Sequence, residues 1–480
     1  MQNSIKRVAL FLLMLFSLSN CIYAQLITYD APGGSALNTD FTVKVRQKGK
    51  TWQSIATYLA TVARMEDGRK MSEKTSFAYF DFSGEVEVSV SYNKGKVNSA
   101  LVRPLSEGSA RVKGNSIIFS LSRPGNFSIE VNGDVFHNLH LFANPLETYN
   151  PLASDTSVIY YGPGIHKVGM VNLKSNQTVY IAGGAQVNGS FKMNRVQNVR
   201  IFGRGVIFHP EGPLDMVFSR NIHIEGVIMA NTLRNTANIA ESDSINIKNL
   251  KSFSDARWGD GIDIYCSSNV LIDGVFMRNS DDCIAIYGHR GRYYGNVKNV
   301  IVQNSTLWAD VAHPIFIGTH GDPAHPDTLS NIKFTNIDIL DHNEAQLDYQ
   351  GCMAINAGDA NFVKDVRFEN IRIGNIRRGQ LVNLRVMYNR KYNTAPGRGI
   401  ANIYFKDISY TGNNANLAVF TGYDEARGIR NIIFENLKIN GKVISDDMPD
   451  KPGWYKTGDM ANIFVGEHVE GLNFIKSKNP

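Results

Sequence analysis

The chain has 480 residues, 43% hydrophobic and 20% charged, a composition that supports a large core and excludes a disordered chain. Lys and Arg number 50 against 44 Asp and Glu, a formal charge of +6. With no long basic run, that excess is too small to call for a nucleic-acid partner.

The first residues, "MQNSIKRVALFLLMLFSLSNCIYAQ", combine a basic start at Lys6 and Arg7, a short apolar run and the small residue Ala24. This predicts a signal peptide over 1–24 and a secreted or periplasmic protein. Lipidation at Cys21 is the alternative for the same segment. No later stretch approaches the roughly twenty continuous apolar residues of a membrane span, so stable membrane insertion is not expected. Without Lys6 and Arg7 the charge falls to about +4, compatible with an acidic polysaccharide partner.

Residues 25–145 alternate with period two in short runs such as "FTVKV", "VEVSVSY" and "IIFSLS", separated by Gly, Pro and Asn turns. That pattern predicts an antiparallel N-terminal β-sandwich domain.

From 146 to 480 a different pattern recurs: a polar residue, Val or Ile, any residue, then an apolar residue. It is found in "QNVRIFGRGVI", "RNIHIEGVIM", "DSINIKNLKS", "SNVLIDGVFM", "KNVIVQNSTL", "SNIKFTNIDI", "KDVRFENIRI", "ANIYFKDISY", "RNIIFENLKI" and "EGLNFIKS". The step is about 23 to 25 residues from Val199 through Ile222, Ile245 and Val270, then widens. A repeat of that length made of short strands signals a β-solenoid. The leucine-rich frame is absent and the early coils are too short for propeller blades, which leaves an all-β fold, a right-handed parallel β-helix. A helical or strand cap is expected over the first coil near "NLKSNQTVYIAGGAQVNGSF". The later widening reads as loops inserted at one edge, where a binding wall is built. The remaining cysteines, Cys266, Cys283 and Cys352, each sit in an apolar run and read as buried thiols.

Two acidic clusters stand about one coil apart: "RWGDGIDIY", with Asp260 and Asp263, and "NSDDCIAIYGHR", with Asp281 and Asp282. Stacked coils bring such clusters within a few ångströms. Glycoside hydrolysis needs two carboxyl groups in opposite protonation states, often roughly 6.5 to 9.5 Å apart when the reaction inverts. Crowding helps to create that difference, because close like charges cannot all ionise at their ordinary pKa. Asp and Asn are also common in solenoid turns, where they bond backbone groups. Asp263 fits that structural reading best. Adjacent strand residues face opposite ways, so the backbone must bend if Asp281 and Asp282 share a cleft.

"GDGID" followed by "SDDCIAI" and "AHPIFIGTHG" resembles three ordered motifs of the polygalacturonases, glycoside hydrolase family 28, across roughly residues 150–480. The resemblance implies Asp281 as general acid, Asp260 and Asp282 as the pair that activates water, and His313 as the group that tunes the acid. It implies no metal and no cofactor. Trp258 and Gly259 replace the family's Asn and Thr, and Pro314 replaces a Gly. The family's Arg-Ile-Lys carboxylate clamp falls on Ala354, Ile355 and Asn356, leaving Arg290, Arg292, Arg378 or Arg385 as substitutes. The front domain, with "EVNGDVFHNLHLFANP" and "YYGPGIHKVG", is similar to the dextranase and isopullulanase family, glycoside hydrolase family 49, so an α-glucan is the alternative substrate.

Candidate substrate contacts are Trp258, His289, Arg290, Arg292, Tyr293, His320 and Asn356, aromatic, cationic and amide groups suited to stacking and hydroxyl recognition. The loop "THGDPAHPD" gathers His320, Asp322, His325 and Asp327 without an established ligand spacing and reads as a turn. Two rival classes remain at this stage. One is a β-helix polysaccharide lyase with the acids as calcium ligands; the other is a non-catalytic glycan-binding solenoid.

Overall fold

The structure, a computed structural model, describes residues 24–105 and 109–477. The expected signal peptide therefore lies outside the described residues except for Ala24, and so does Cys21. Helix is limited there to single turns at Leu347–Tyr349 and Thr457–Met460. No described helix is long and apolar enough to cross a membrane.

The front of the chain folds into two sheets. Strands Gln53–Ile55, Phe41–Gln47, Val86–Tyr92, Ser116–Leu121 and Arg111–Lys113 form one, in that order; Gln25–Thr28, Arg69–Ser83, Leu139–Asn144, Gly125–Val131 and Ala100–Arg103 form the other, with Tyr58–Glu66 also on Arg69–Ser83. Alternation decides which side chains meet: Phe41, Val43, Val45, Val86, Val88 and Val90 face Phe80, Phe82, Ile129 and Leu141 across the sandwich core. The expected pairing is antiparallel, and one pair departs from it. Leu139–Asn144 runs parallel to Arg69–Ser83, as the last strand leaves the sandwich toward the β-helix.

That second sheet is covered on both faces. Phe77, Tyr79 and Phe142 point away from the sandwich core and pack on Val206, Ile228, Phe253 and Phe276 of the β-helix. Buried polar contacts fix the same junction: Arg204 pairs with Asp81 at 2.8 Å, and the buried Arg278 bonds Asn138, His140 and the Val135 carbonyl.

Val158–Tyr161 begins a 29-stranded coiled sheet that ends at Val469–Ile475, its pairs parallel except Leu437–Ile439 with Lys442–Ile444. The fold is the parallel β-helix expected from the repeat. The repeat is one vertical column: Val199, Ile222, Ile245, Val270, Val300, Ile332, Val366, Ile403, Ile432 and Leu472 follow one another in register. The polar residue just before it is often Asn because the turn needs positive φ, which Asn tolerates. Asn198, Asn221, Asn269, Asn299 and Asn331 all take φ between 53° and 60°, and their amides form a ladder, as in Asn221 to Asn198 at 2.7 Å and Asn331 to Asn299 at 2.6 Å. Val158–Tyr161 and Gly164–Asn172 form the first coil, and the stretch expected to hold a cap is itself part of the stack. Cys266, Cys283 and Cys352 are free and buried.

Candidate active site

Four short strands carry the site: Ile262–Tyr265, Ile284–Tyr287, Ile315–Gly318 and Met353–Ala357, stacked in register. Ile262, Ile264, Ile284, Ile286, Ile315, Ile317, Met353 and Ile355 point into the core. By alternation Asp263 and Tyr265, Ala285 and Tyr287, Phe316, Ala354 and Asn356 point outward. The acids come just before these strands, where the chain bends. Gly261 N–H donates to the Asp282 carbonyl and Cys283 N–H to that of His313, each at 2.8 Å. Asp260, Asp282 and His313 therefore form a column with Asp281 beside it. Carboxylate oxygens of Asp260, Asp281 and Asp282 all lie within 4.8 Å of one another, closer than the separation common in inverting enzymes. Gly259 permits this approach: a Cβ there would meet Ser280 Oγ at 2.4 Å and Ser254 Oγ at 2.8 Å.

The carboxyl groups differ in their partners. Burial pushes Asp281 up to about 8, with Asp282 and Asp263 adding to the rise and His313 opposing it. Burial, then Asp263, Asp281 and Asp282, hold Asp260 well above the carboxylate range. Burial also lifts Asp263 to about 7 against hydrogen bonds from Tyr265 at 2.7 Å and Asn235 at 2.9 Å. Asp282 alone of the four is hydrogen-bonded to a histidine ring. His313 Nδ1 lies 2.7 Å from its Oδ1, His313 N–H donates to the same oxygen at 3.0 Å, and the Tyr287 hydroxyl donates to Oδ2 at 3.1 Å.

The other ring nitrogen of His313 meets the Tyr349 carbonyl, so both nitrogens face acceptors, an arrangement that favours the imidazolium form. Burial by itself would lower the His313 pKa; Asp282, Glu344 and the Tyr349 carbonyl outweigh it and raise the value. The histidine thus bonds Asp282, while its charge also opposes the rise of Asp281, the acid it was expected to tune. His313→Gln is expected to cost on the order of 1–2 kcal/mol of stability near pH 5. There the paired imidazolium contributes fully, and the cost shrinks as pH rises through the raised folded value. Urea unfolding at pH 5, 7 and 9 measures it, and a pH-independent loss would reduce the ring to packing.

Asp260, Asp281 and Asp282 are also the one metal-compatible group found among the described residues. Their fit to calcium is poor: that ion takes six to eight oxygen ligands, whereas both Asp282 oxygens already accept hydrogen bonds and an imidazolium stands beside them.

Cationic and aromatic groups gather at the other ends of the same strands. His289 follows Tyr287, and Arg290 Nη1 lies 3.2 Å from His320 Nε2. Burial, then Arg290, pulls His320 down to about 4. Trp258 stands at the lip, 64% exposed with the Arg257 guanidinium 4.3 Å over its ring. Arg292 and Tyr293 turn back toward earlier coils, against Phe218 and Tyr265. Asn356 does not sit as an open contact. It is fully buried with both amide atoms unpartnered, in register with Arg385, whose Nε is likewise buried and unpartnered. Arg385 is thus the substitute nearest the absent clamp. Asp322 and His325 bond each other at 2.7 Å in the loop, as a turn would. A crevice of about 950 Å³ between sandwich and β-helix, lined in part by Arg123, Asn304 and Arg372, contains none of these groups.

Tyr265, Tyr287 and Tyr349 were not anticipated. The first two were detectable, since "GIDIY" and "CIAIY" put Tyr at the same place in successive coils. They stack with centroids 5.9 Å apart.

Residues 167–449 match the sequence profile described as glycosyl hydrolases family 28. The chain belongs to that family. Among this family 28 member's curated relatives, a probable endopolygalacturonase D of Neosartorya fischeri is 23% identical over 252 residues, 52% of this chain and 46% of the relative. An exopolygalacturonase of Cochliobolus carbonum is 25% identical over 186 residues, 36% and 39% of the two. The family 28 chain thus spans less than half the length of these relatives. Dex49A from Penicillium minioluteum shares its fold, with a TM-score of 0.58 at 14% identity over 94% of this chain and 96% of that one.

Proposed function

We propose that the chain is a secreted or periplasmic, polygalacturonase-like glycoside hydrolase, its β-helix of residues 146–480 catalytic and its sandwich of 25–145 supporting. The supporting observation is the unequal cluster: Asp281 holds its proton up to about 8 within reach of an Asp282 paired to an imidazolium. Asp281 donates its proton to the departing glycosidic oxygen as the C–O bond breaks. Water attacks the anomeric carbon and gives its proton to Asp282. Asp260, held toward its protonated form, orients that water by hydrogen bonding.

The hydrogen bonds on both Asp282 oxygens suit a base that polarises water better than a carboxylate free to attack carbon, which supports inversion. The polygalacturonase names of the relatives support a pectic substrate. A uronate carboxylate would pair with the guanidinium of the half-buried Arg385.

The test is incubation with polygalacturonate, dextran and pullulan, with and without EDTA, following reducing ends, unsaturated products and the anomer released. Expected are reducing ends from polygalacturonate, insensitive to EDTA, with the inverted anomer first. EDTA-sensitive unsaturated sugars would replace the hydrolase by a lyase, and the retained anomer would make one carboxylate a nucleophile.

A further inference from the structure

The two strands that lead to the acids are both gripped by the sandwich. Phe253, two residues before Asp255, stacks on Phe77 with centroids 5.4 Å apart. Phe276 packs on Phe142 at 5.1 Å.

The 255–260 loop between Phe253 and the first acid is pinned on its inner side. Ser280 Oγ donates to the Ala256 carbonyl at 2.7 Å, and Ser254 Oγ to that of Gly259 at 2.5 Å. On its outer side the sandwich reaches across. Strands Tyr58–Glu66 and Arg69–Ser83 meet in a two-residue turn, Asp67 and Gly68, with φ of 50° and 74°, the hairpin geometry that Asp-Gly favours. Just past that turn, Lys70 Nζ bonds the Asp255 carbonyl and Ser72 Oγ the Asp255 carboxylate. Asp255 and Asp281 are the two carboxylates whose charge acts on Lys70, which places its ammonium near the acid cluster.

We propose that this hairpin is the outer clamp of the 255–260 loop, with Lys70 and Ser72 as positioning residues that hold Asp260 against Asp281 without touching substrate. The inference rests on the hydrolase reading above for its kinetic consequence only. Contact passes from Ser72 to Asp255, from Ala256 to Ser280 and so to Asp281, joining the two acids through their backbones. The sandwich then belongs to the machinery that sets the carboxyl spacing.

The double variant Lys70→Met, Ser72→Ala tests this in the full chain. Amide exchange at residues 255–261 should quicken on the order of tenfold, the effect of losing a hydrogen bond or two. On the substrate found by the panel, kcat should fall roughly tenfold from a displacement well under 1 Å. KM should stay within about twofold and the unfolding midpoint should not move, because the hairpin tip is exposed. Lys70→Arg with Ser72→Thr should restore both readings. Unchanged exchange at 255–261 in the double variant would overturn the clamp whatever the kinetics. Exchange needs no substrate, so a wild type inert on every glycan would overturn the hydrolase reading and leave the clamp to be judged on exchange alone.

Discussion

Asp281→Asn is expected to lower kcat on the order of a thousandfold, within the range for loss of a general acid, while making the folded protein more stable at neutral pH. The rate falls because the amide has no proton to give the leaving oxygen. Stability rises because burial holds Asp281 up to about 8 when folded, against roughly 3.9 for an unfolded Asp. Between those values the unfolded chain has released its proton while the folded one still binds it. Folding must take the proton up, so the wild type loses stability as pH rises through that window. Asn carries no such proton. The advantage of the variant should be small at pH 4 and reach on the order of 2 kcal/mol at pH 7, discounted for the partial exposure of the group. Urea unfolding at the two pH values, beside initial rates on the panel substrate, measures both effects. A variant that keeps its rate sinks the acid assignment; an equal gain at both pH values sinks the electrostatic one.

The repeat was legible because each coil places one residue in one column, so Val199 to Leu472 keep their pattern although loop lengths vary. The acids were legible for the same reason, one coil apart. Their register was not: a spacing near 21 fits Asp260 over either Asp281 or Asp282. The Gly261 bond to the Asp282 carbonyl decides for the latter, and His313 then falls beside Asp282. Burial of Asn356 was beyond the sequence because alternation gives its outward direction and not what lies over it; its neighbour Thr319, whose N–H bonds the Asn356 carbonyl, is met by Asn393 from far later in the chain. The docking of the sandwich left a faint trace. "SFAYFDF" is apolar on both alternating faces and "LHLFAN" carries Phe142 on its otherwise polar face, which a sheet with one wet side does not need. What they dock against lies far along the chain and has no local signal.

Arg278→Met is expected to cost about 3 kcal/mol of stability, near the lower end for breaking a buried ion pair. Arg278 is wholly buried three residues before Asp281 and uses all five of its N–H donors. Nε and Nη2 grip Asp310 at 2.9 and 3.2 Å, Nη1 reaches Asn138 and His140 at 2.8 Å each, and Nη2 reaches the Val135 carbonyl at 2.8 Å. Burial, then the charges of Arg278 and Arg103, drives His140 well below its ordinary pKa, so the ring is neutral and accepts the bond. Met fills much of the volume but leaves His140 Nε2 without a donor and Asn138 Oδ1 with only the Thr75 hydroxyl, at 2.8 Å. Asp310 keeps Arg377 at 2.9 Å and Trp308 Nε1 at 3.1 Å, which limits the damage. Arg278→Lys should recover little, since one ammonium cannot reproduce a five-donor fork that also lies 4.2 Å over the Trp308 ring. Because these bonds join sandwich to β-helix, the loss should appear as a lower urea midpoint and as faster proteolysis between the two. An unchanged midpoint for both variants would show that the apolar junction around Phe77, Phe142, Phe253 and Phe276 holds the two parts together without the ion pair.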